Sequence, residues 1–366
     1  MLVGVFFLAF LGSLFASIVL IRTQHLHAHL SMDTDLVGVQ KFHANPTPRI
    51  GGLSILLGML LAFILVLWTE VTTQIIFKTI LLSSIPVFTA GFLEDITKKV
   101  APRWRLIAAF ISAALGIGLC GSLLPKLGVP GVDAILFLYP VTSILLTIFA
   151  VGGVCHSINI IDGYNGLMGG VSLFALLAFA FVSLASGDIP LLTLCLASIG
   201  AVLGFLVWNF PKGMIFAGDS GAYFIGFLLA EIAVLLVSRH PALVSPWFPF
   251  LVLIYPVFET VFSIYRRKIR HMPAGLPDSM HFHQMVYKRL VLWMVGSKEA
   301  THLTRRNSMT APYLWGMALF SIMPAMIFWR HELLLKICAL IFVIGYLWAY
   351  RSLATFNAKS RFLIRK

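Results

Sequence analysis

Eleven stretches of continuously apolar sequence, each close to the roughly 20 residues that an α-helix needs to cross a bilayer, leave this chain few ways to fold. They fall at about 2–21, 51–68, 75–93, 106–124, 134–154, 167–185, 189–207, 222–237, 248–264, 311–328 and 333–350. None alternates between apolar and polar residues, so spanning helices fit and a membrane barrel does not. At 59% hydrophobic and 11% charged residues the chain is far from the make-up of a soluble domain. The expectation is an all-α polytopic membrane helix bundle of about eleven transmembrane helices. No internal repeat, low-complexity tract or shift in composition marks a boundary, so residues 1–366 read as one integral-membrane domain.

Basic residues orient the bundle. When they are assigned to alternate sides of the eleven-span pattern, 22 of the 27 Lys and Arg share one side, leaving Lys78, Lys126, Arg239, Arg330 and Lys336 on the other. The rich side is cytoplasmic by the positive-inside rule, which puts the N-terminus outside and the C-terminus inside. No basic residue precedes the first apolar core and Arg22 follows it, so that segment reads as an anchor and not a cleaved signal. The formal net charge of +13 follows from this asymmetry, and no nucleic-acid partner is needed to explain it. A basic cytoplasmic face suits anionic lipid headgroups and equally a substrate carrying several phosphates. Cys120, Cys155, Cys195 and Cys338 have no paired spacing and read as reduced packing residues.

Chemistry-bearing residues gather in the cytoplasmic loops, at about 22–50, 94–105, 155–166, 208–221 and 265–310. The first holds Asp35, Lys41-Phe42-His43 and then Pro48-Arg49-Ile50-Gly51-Gly52, where paired glycines allow a close approach to a ligand or a neighbouring helix. The second opens with Glu94-Asp95, carboxylates at the C-terminal end of a helix, where the dipole disfavours them. Either the following basic residues compensate, or a metal ion or proton relay does. The third, Asn159-Ile160-Ile161-Asp162-Gly163-Tyr164-Asn165-Gly166, is a polar, glycine-rich island between two apolar runs. The fourth ends in Ala217-Gly218-Asp219-Ser220-Gly221, placing Asp219 as a helix N-cap or a ligand. The fifth carries His281-Phe282-His283-Gln284 and Lys288-Arg289. Carboxylates and carboxamides fixed by glycine turns beside Lys, Arg and His are what Mg²⁺-dependent phosphoryl transfer needs. Within the spans, Glu231 and Glu259 support a different class of function, a proton-coupled secondary transporter. Such proteins show internal repeats and broken helices, and neither is clear in the sequence.

In their order, these five motifs resemble the polyprenyl-phosphate N-acetylhexosamine 1-phosphate transferases of glycosyltransferase family 4 type, from Asp35 and Lys41 through the histidine loop. The resemblance implies an enzyme of the bacterial inner membrane with its site on the cytoplasmic face. It would transfer N-acetylhexosamine 1-phosphate from a UDP-sugar to polyprenyl phosphate, typically undecaprenyl phosphate, releasing UMP and initiating O-antigen or another envelope polysaccharide. Carried across by motif, Asp219 and Asp162 would hold Mg²⁺, for which Mn²⁺ can substitute. Glu94, Asp95 and Asp162 would be catalytic, and Lys41, His43, Asn159, Asn165, His281, His283 and Arg289 would bind substrate. A homodimer is compatible with the family. Three departures stand out: Glu94 in place of a first Asp, Asn165 in place of a second Asp, and Gln284 where a third His is common. The last argues against the phospho-N-acetylmuramoyl-pentapeptide branch. By the same logic Asp162→Asn should abolish turnover and Asn165→Asp should be tolerated.

Overall fold

A computed structural model describes residues 1–33, 46–271, 280–291, 294 and 303–355. Among them the chain is a helix bundle, with nine helices long and apolar enough to cross a membrane. Its helices are α1 (Leu2–Arg22), α2 (Gln24–Ser31), α3 (Gly51–Val66), α4 (Val71–Ser83), α5 (Ile85–Thr97), α6 (Pro102–Cys120), α7 (Pro130–Leu138) and α8 (Pro140–Ile161). After these come α9 (Leu167–Ala185), α10 (Ile189–Asn209), α11 (Gly218–Arg239), α12 (Trp247–Val252) and α13 (Ile254–Ile269). The series closes with α14 (Phe282–Met285), which runs into a π-helical turn Val286–Val291, then α15 (Leu303–Ile327) and α16 (Glu332–Ala354). The strands are two residues each: Met32–Asp33 pairs antiparallel with Thr47–Pro48.

Helix α11 is the axis of the bundle, buried along its length among α3, α5, α6, α8 and α9. A helix apolar on every face can be stable only inside a core or in lipid, and here its neighbours exclude the lipid. At the rim, α1 buries its small face, Ala9, Gly12, Ser13 and Ser17, against α3 and α10. Its outer face presents Val3, Phe7, Phe15 and Val19 to lipid. Small residues at the interface suit helix association in membranes, where backbone proximity substitutes for a hydrophobic driving force.

Proline explains where the helices depart from the apolar runs. The run at 134–154 is not one span. Tyr139, held extended before Pro140 (φ −127°, ψ 85°), separates the short α7 from α8, a helix of 22 residues. The consequence reaches the site, because His156 and Asn159 stand on α8 and only residues 162–166 form the turn. The run at 248–264 is broken at Leu253, where Pro256 removes a donor and crowds the carbonyl four residues before it. The span Val71–Thr97 is likewise interrupted at Ser84, just before Pro86. Broken spans are therefore present, contrary to the sequence reading. Glu94 and Asp95 lie on the last turn of α5, at the helix end where they were expected, whereas Arg103 and Arg105, expected in a loop, lie on the first turn of α6.

Candidate active site

The ends of α8 and α10 meet the starts of α11, α14 and α15 around one cavity of about 360 Å³. Its position follows from how the first turn of α11 is held. Gly218 adopts φ +69°, and a side chain there would collide with the Arg49 carbonyl and the Asp95 carboxylate. Asp95, fully buried, accepts the Asp219 N–H at 2.7 Å, the Ser220 N–H at 2.9 Å and the Ser220 hydroxyl at 2.6 Å. This resolves the placement of an acid at the end of α5: its carboxylate satisfies the orphan amides of α11, whose N-terminal dipole favours negative charge. Gly52 serves the same junction, since a Cβ there would meet the Gly221 backbone; the pair at 51–52 is for helix approach. Asp219 is not the N-cap, a position held by Ala217. Its Oδ1 accepts Asn159 Nδ2–H at 2.8 Å and its Oδ2 pairs with the Arg105 guanidinium.

Asp162 closes α8 and faces the same cavity. Burial, and then the charge of Asp219, push its carboxyl up to about 7, with Arg49 opposing. Its turn is pinned from two distant helices. The Asn165 N–H donates to Asn307 Oδ1 of α15 and the Gly166 N–H to Asn209 Oδ1 of α10, each at 2.7 Å. Trp315 Nε1–H donates to the Gly166 carbonyl at 3.0 Å. Asn165 Nδ2–H in turn reaches the Pro211 carbonyl at 3.2 Å and Ser308 Oγ at 3.4 Å. A carboxylate cannot donate these bonds, so the geometry reverses the expectation that Asn165→Asp is tolerated.

On the remaining wall, His281 and His283 stack with centroids 5.1 Å apart and planes at 6°, and Tyr164 meets His283 edge-on at 5.7 Å. The structure thus brings together Asn159, Asp162, Asn165, Asp219, His281 and His283. Glu94 does not line this cavity; its Oε2 accepts the Val100 N–H at 2.7 Å and closes the α5–α6 turn. Asp95 sits behind Asp219 and not on the wall, and Arg289 is exposed on the π-helical turn. Lys41 and His43 lie outside the described residues. Sequence reasoning missed Arg49, Asn209, Gln284 and Asn307, which line the cavity, and Arg105. Arg49 and Arg105 had been read as orienting charges; for Asn307 no local signal exists.

Among the described residues no group of three His, Cys, Asp or Glu is gathered closely enough to hold a metal alone. Mg²⁺ asks for less, one or two carboxylates with water and substrate phosphate oxygens completing its shell. Asp162 and Asp219 on one wall fit that requirement. Of the two intramembrane acids, Glu259 belongs to the site's support, its Oε1 lying 2.9 Å from His281 Nδ1. Glu231 packs against Gly116, thirteen residues along α11 from its start, or roughly 20 Å away.

Residues 77–237, which contain both Asp162 and Asp219, match the family model described as glycosyl transferase family 4. A protein of Bacillus subtilis described as a probable undecaprenyl-phosphate N-acetylglucosaminyl 1-phosphate transferase is 30% identical over 286 residues, 77% of this chain and 74% of that protein. An undecaprenyl-phosphate alpha-N-acetylglucosaminyl 1-phosphate transferase of Thermotoga maritima is 27% identical over 262 residues, 69% of this chain and 72% of its own. A phospho-N-acetylmuramoyl-pentapeptide-transferase of Bacillus cytotoxicus is 30% identical over a shorter 205 residues, 52% of this chain and 61% of its own. With about three quarters of two chains matched at 30% identity, this membrane protein belongs to glycosyl transferase family 4.

Proposed function

We propose that the chain transfers N-acetylhexosamine 1-phosphate from a UDP-sugar to polyprenyl phosphate. An oxygen of the lipid phosphate bonds to the sugar-linked phosphorus, the bond from that phosphorus to the bridging oxygen breaks, and UMP leaves with the electron pair. The observation that carries this reading is the convergence of Asp162, Asp219, Asn159 and the histidine pair on one cavity. Asp162 and Asp219 would hold Mg²⁺, which when bound neutralises diphosphate charge and makes UMP a better leaving group. Asn159 orients Asp219 through its 2.8 Å bond. Arg49 on the cavity wall and Arg105 beside Asp219 supply positive charge for the phosphate groups, and the histidines supply ring nitrogens that can hydrogen-bond to them. The basic asymmetry of the loops supports a cytoplasmic site in a bacterial inner membrane, and the lipid product suits the first step of O-antigen or another envelope polysaccharide.

N-acetylglucosamine is the first sugar to try, because the Bacillus subtilis and Thermotoga maritima relatives carry it in their names. The test is UMP release by the purified protein with undecaprenyl phosphate, Mg²⁺ and a labelled UDP-sugar panel. UMP release that requires lipid, Mg²⁺ and one UDP-N-acetylhexosamine is expected. Absence of UMP with every donor, with Asp219→Asn indistinguishable from the native chain, would refute the proposal.

A further inference from the structure

The histidine pair sits on a segment fixed at three successive residues by two helices that contribute no cavity residue. The Met280 carbonyl accepts Arg266 Nη1–H at 2.7 Å and the Tyr350 hydroxyl at 3.2 Å. His281 Nδ1 lies 2.9 Å from Glu259 Oε1, and the Phe282 N–H donates to the same oxygen at 2.9 Å. The other oxygen, Oε2, accepts the Tyr346 hydroxyl at 2.7 Å. Glu259 and Arg266 belong to α13, Tyr346 and Tyr350 to α16, one turn apart, and the Arg266 guanidinium lies 5.6 Å over the Tyr350 ring. Glu259 and Tyr346 are inaccessible to solvent, whereas His281 lines the cavity.

A buried carboxylate against one imidazole nitrogen does more than pack. It holds the proton on Nδ1, fixes the ring plane and makes Nε2, on the opposite edge, the nitrogen that can accept a proton or carry a stabilised positive charge. The Tyr346 hydroxyl and the Phe282 amide keep the carboxylate from rotating, so the imidazole inherits its orientation from the α13–α16 contact. We propose that Glu259, steadied by Tyr346, is a positioning residue for His281, setting its tautomer and aiming Nε2 at the phosphate groups of the substrate. The C-terminal helix α16 then belongs to the active site without touching substrate. This inference rests on the transferase reading above.

A double-mutant cycle in the UMP-release assay tests it, using the full chain in detergent. Glu259→Ala should lower kcat/KM about 10- to 100-fold, the usual cost of losing the partner that orients an imidazole. The same change made on top of His281→Asn should cost almost nothing more, because Glu259 acts through that ring. Tyr346→Phe should give a smaller loss in the same direction. If the Glu259→Ala and His281→Asn losses multiply, or Glu259→Ala leaves kcat/KM unchanged, the proposal is overturned. Glu259→Gln, which keeps an acceptor for Nδ1–H, covers the case in which Glu259→Ala does not fold: it should retain the Nδ1–H tautomer in ¹⁵N-histidine spectra assigned with His281→Asn. Loss or absence of that tautomer in the native chain also overturns the inference. Failure of the native chain to release UMP refutes the transferase reading instead, and the spectra still decide the Glu259–His281 relation.

Discussion

Replacing Asp95 with Asn separates an acid that builds the site from one that works in it. Asp95 presents two oxygens to three donors, one to the Asp219 N–H and the other to the Ser220 N–H and hydroxyl. Asparagine keeps a single acceptor. The cheaper rotamer turns that oxygen towards Ser220 and points its own NH₂ at the Asp219 N–H, leaving a buried donor facing a donor. An orphaned buried group costs about 1–3 kcal/mol, and loss of the anion at the α11 N-terminus adds about 0.3–1 kcal/mol, more when partly buried. The expected destabilisation is therefore about 1–4 kcal/mol, and it is present without metal or substrate. Because α11 carries Asp219, a shift of its first turn also misplaces the reacting groups, where about 1 Å can cost 100-fold in rate. Thermal unfolding in detergent should thus show a lower midpoint for Asp95→Asn together with reduced UMP release. Asp162→Asn supplies the contrast, since among the described residues no donor meets its carboxylate, whose charged form burial and the Asp219 charge disfavour. Removing that charge should leave the midpoint unchanged or raise it. An Asp95→Asn protein that melts like the native chain and loses only turnover would refute the assignment of Asp95 to the α11 amides.

Other outcomes follow from the same geometry. Asp162→Asn should abolish UMP release at every pH tested, and residual turnover near the native level would remove Asp162 from the centre of the site. Asn165→Asp should lower turnover roughly 5- to 150-fold, the equivalent of about 1–3 kcal/mol for donors lost to the Pro211 carbonyl and Ser308; equal rates would show those bonds to be dispensable. At the far end of the bundle, Asp188 caps α10 through the Leu191 N–H and pairs with Arg239 at 2.6 Å and His240 at 2.8 Å. Burial alone would raise its carboxyl, but these partners outweigh it and hold the group below the usual range. Its contribution is complete above the unfolded value of about 4 and fades as pH falls through the lower folded one. Melting midpoints should therefore drop on acidification below about pH 4, and Asp188→Asn, already less stable at pH 7, should show a smaller acid-induced drop.

The all-helical membrane bundle and the grouping of polar segments at one end were legible because both depend on local quantities: the length of apolar runs and the placement of polar residues between them. Helix ends were partly legible. Pro140 and Pro256 mark breaks that hydropathy passes over, legible from the backbone chemistry of proline. The site's inner wiring was a different matter. Asp95 meets the α11 amides across 124 positions, Arg105 meets Asp219 across 114, Asn165 meets Asn307 across 142 and Tyr346 meets Glu259 across 87. No periodicity or motif encodes such pairings, because they exist only once helices pack at a given register and rotation. The order of residues determined which groups would reach the same end of the bundle; packing around α11 decided which of them face the cavity and which hold the others in place. Asp95 and Asp219 differ in nothing but where their helices put them, one carboxylate bonded to backbone amides and the other turned towards Arg105 and the cavity.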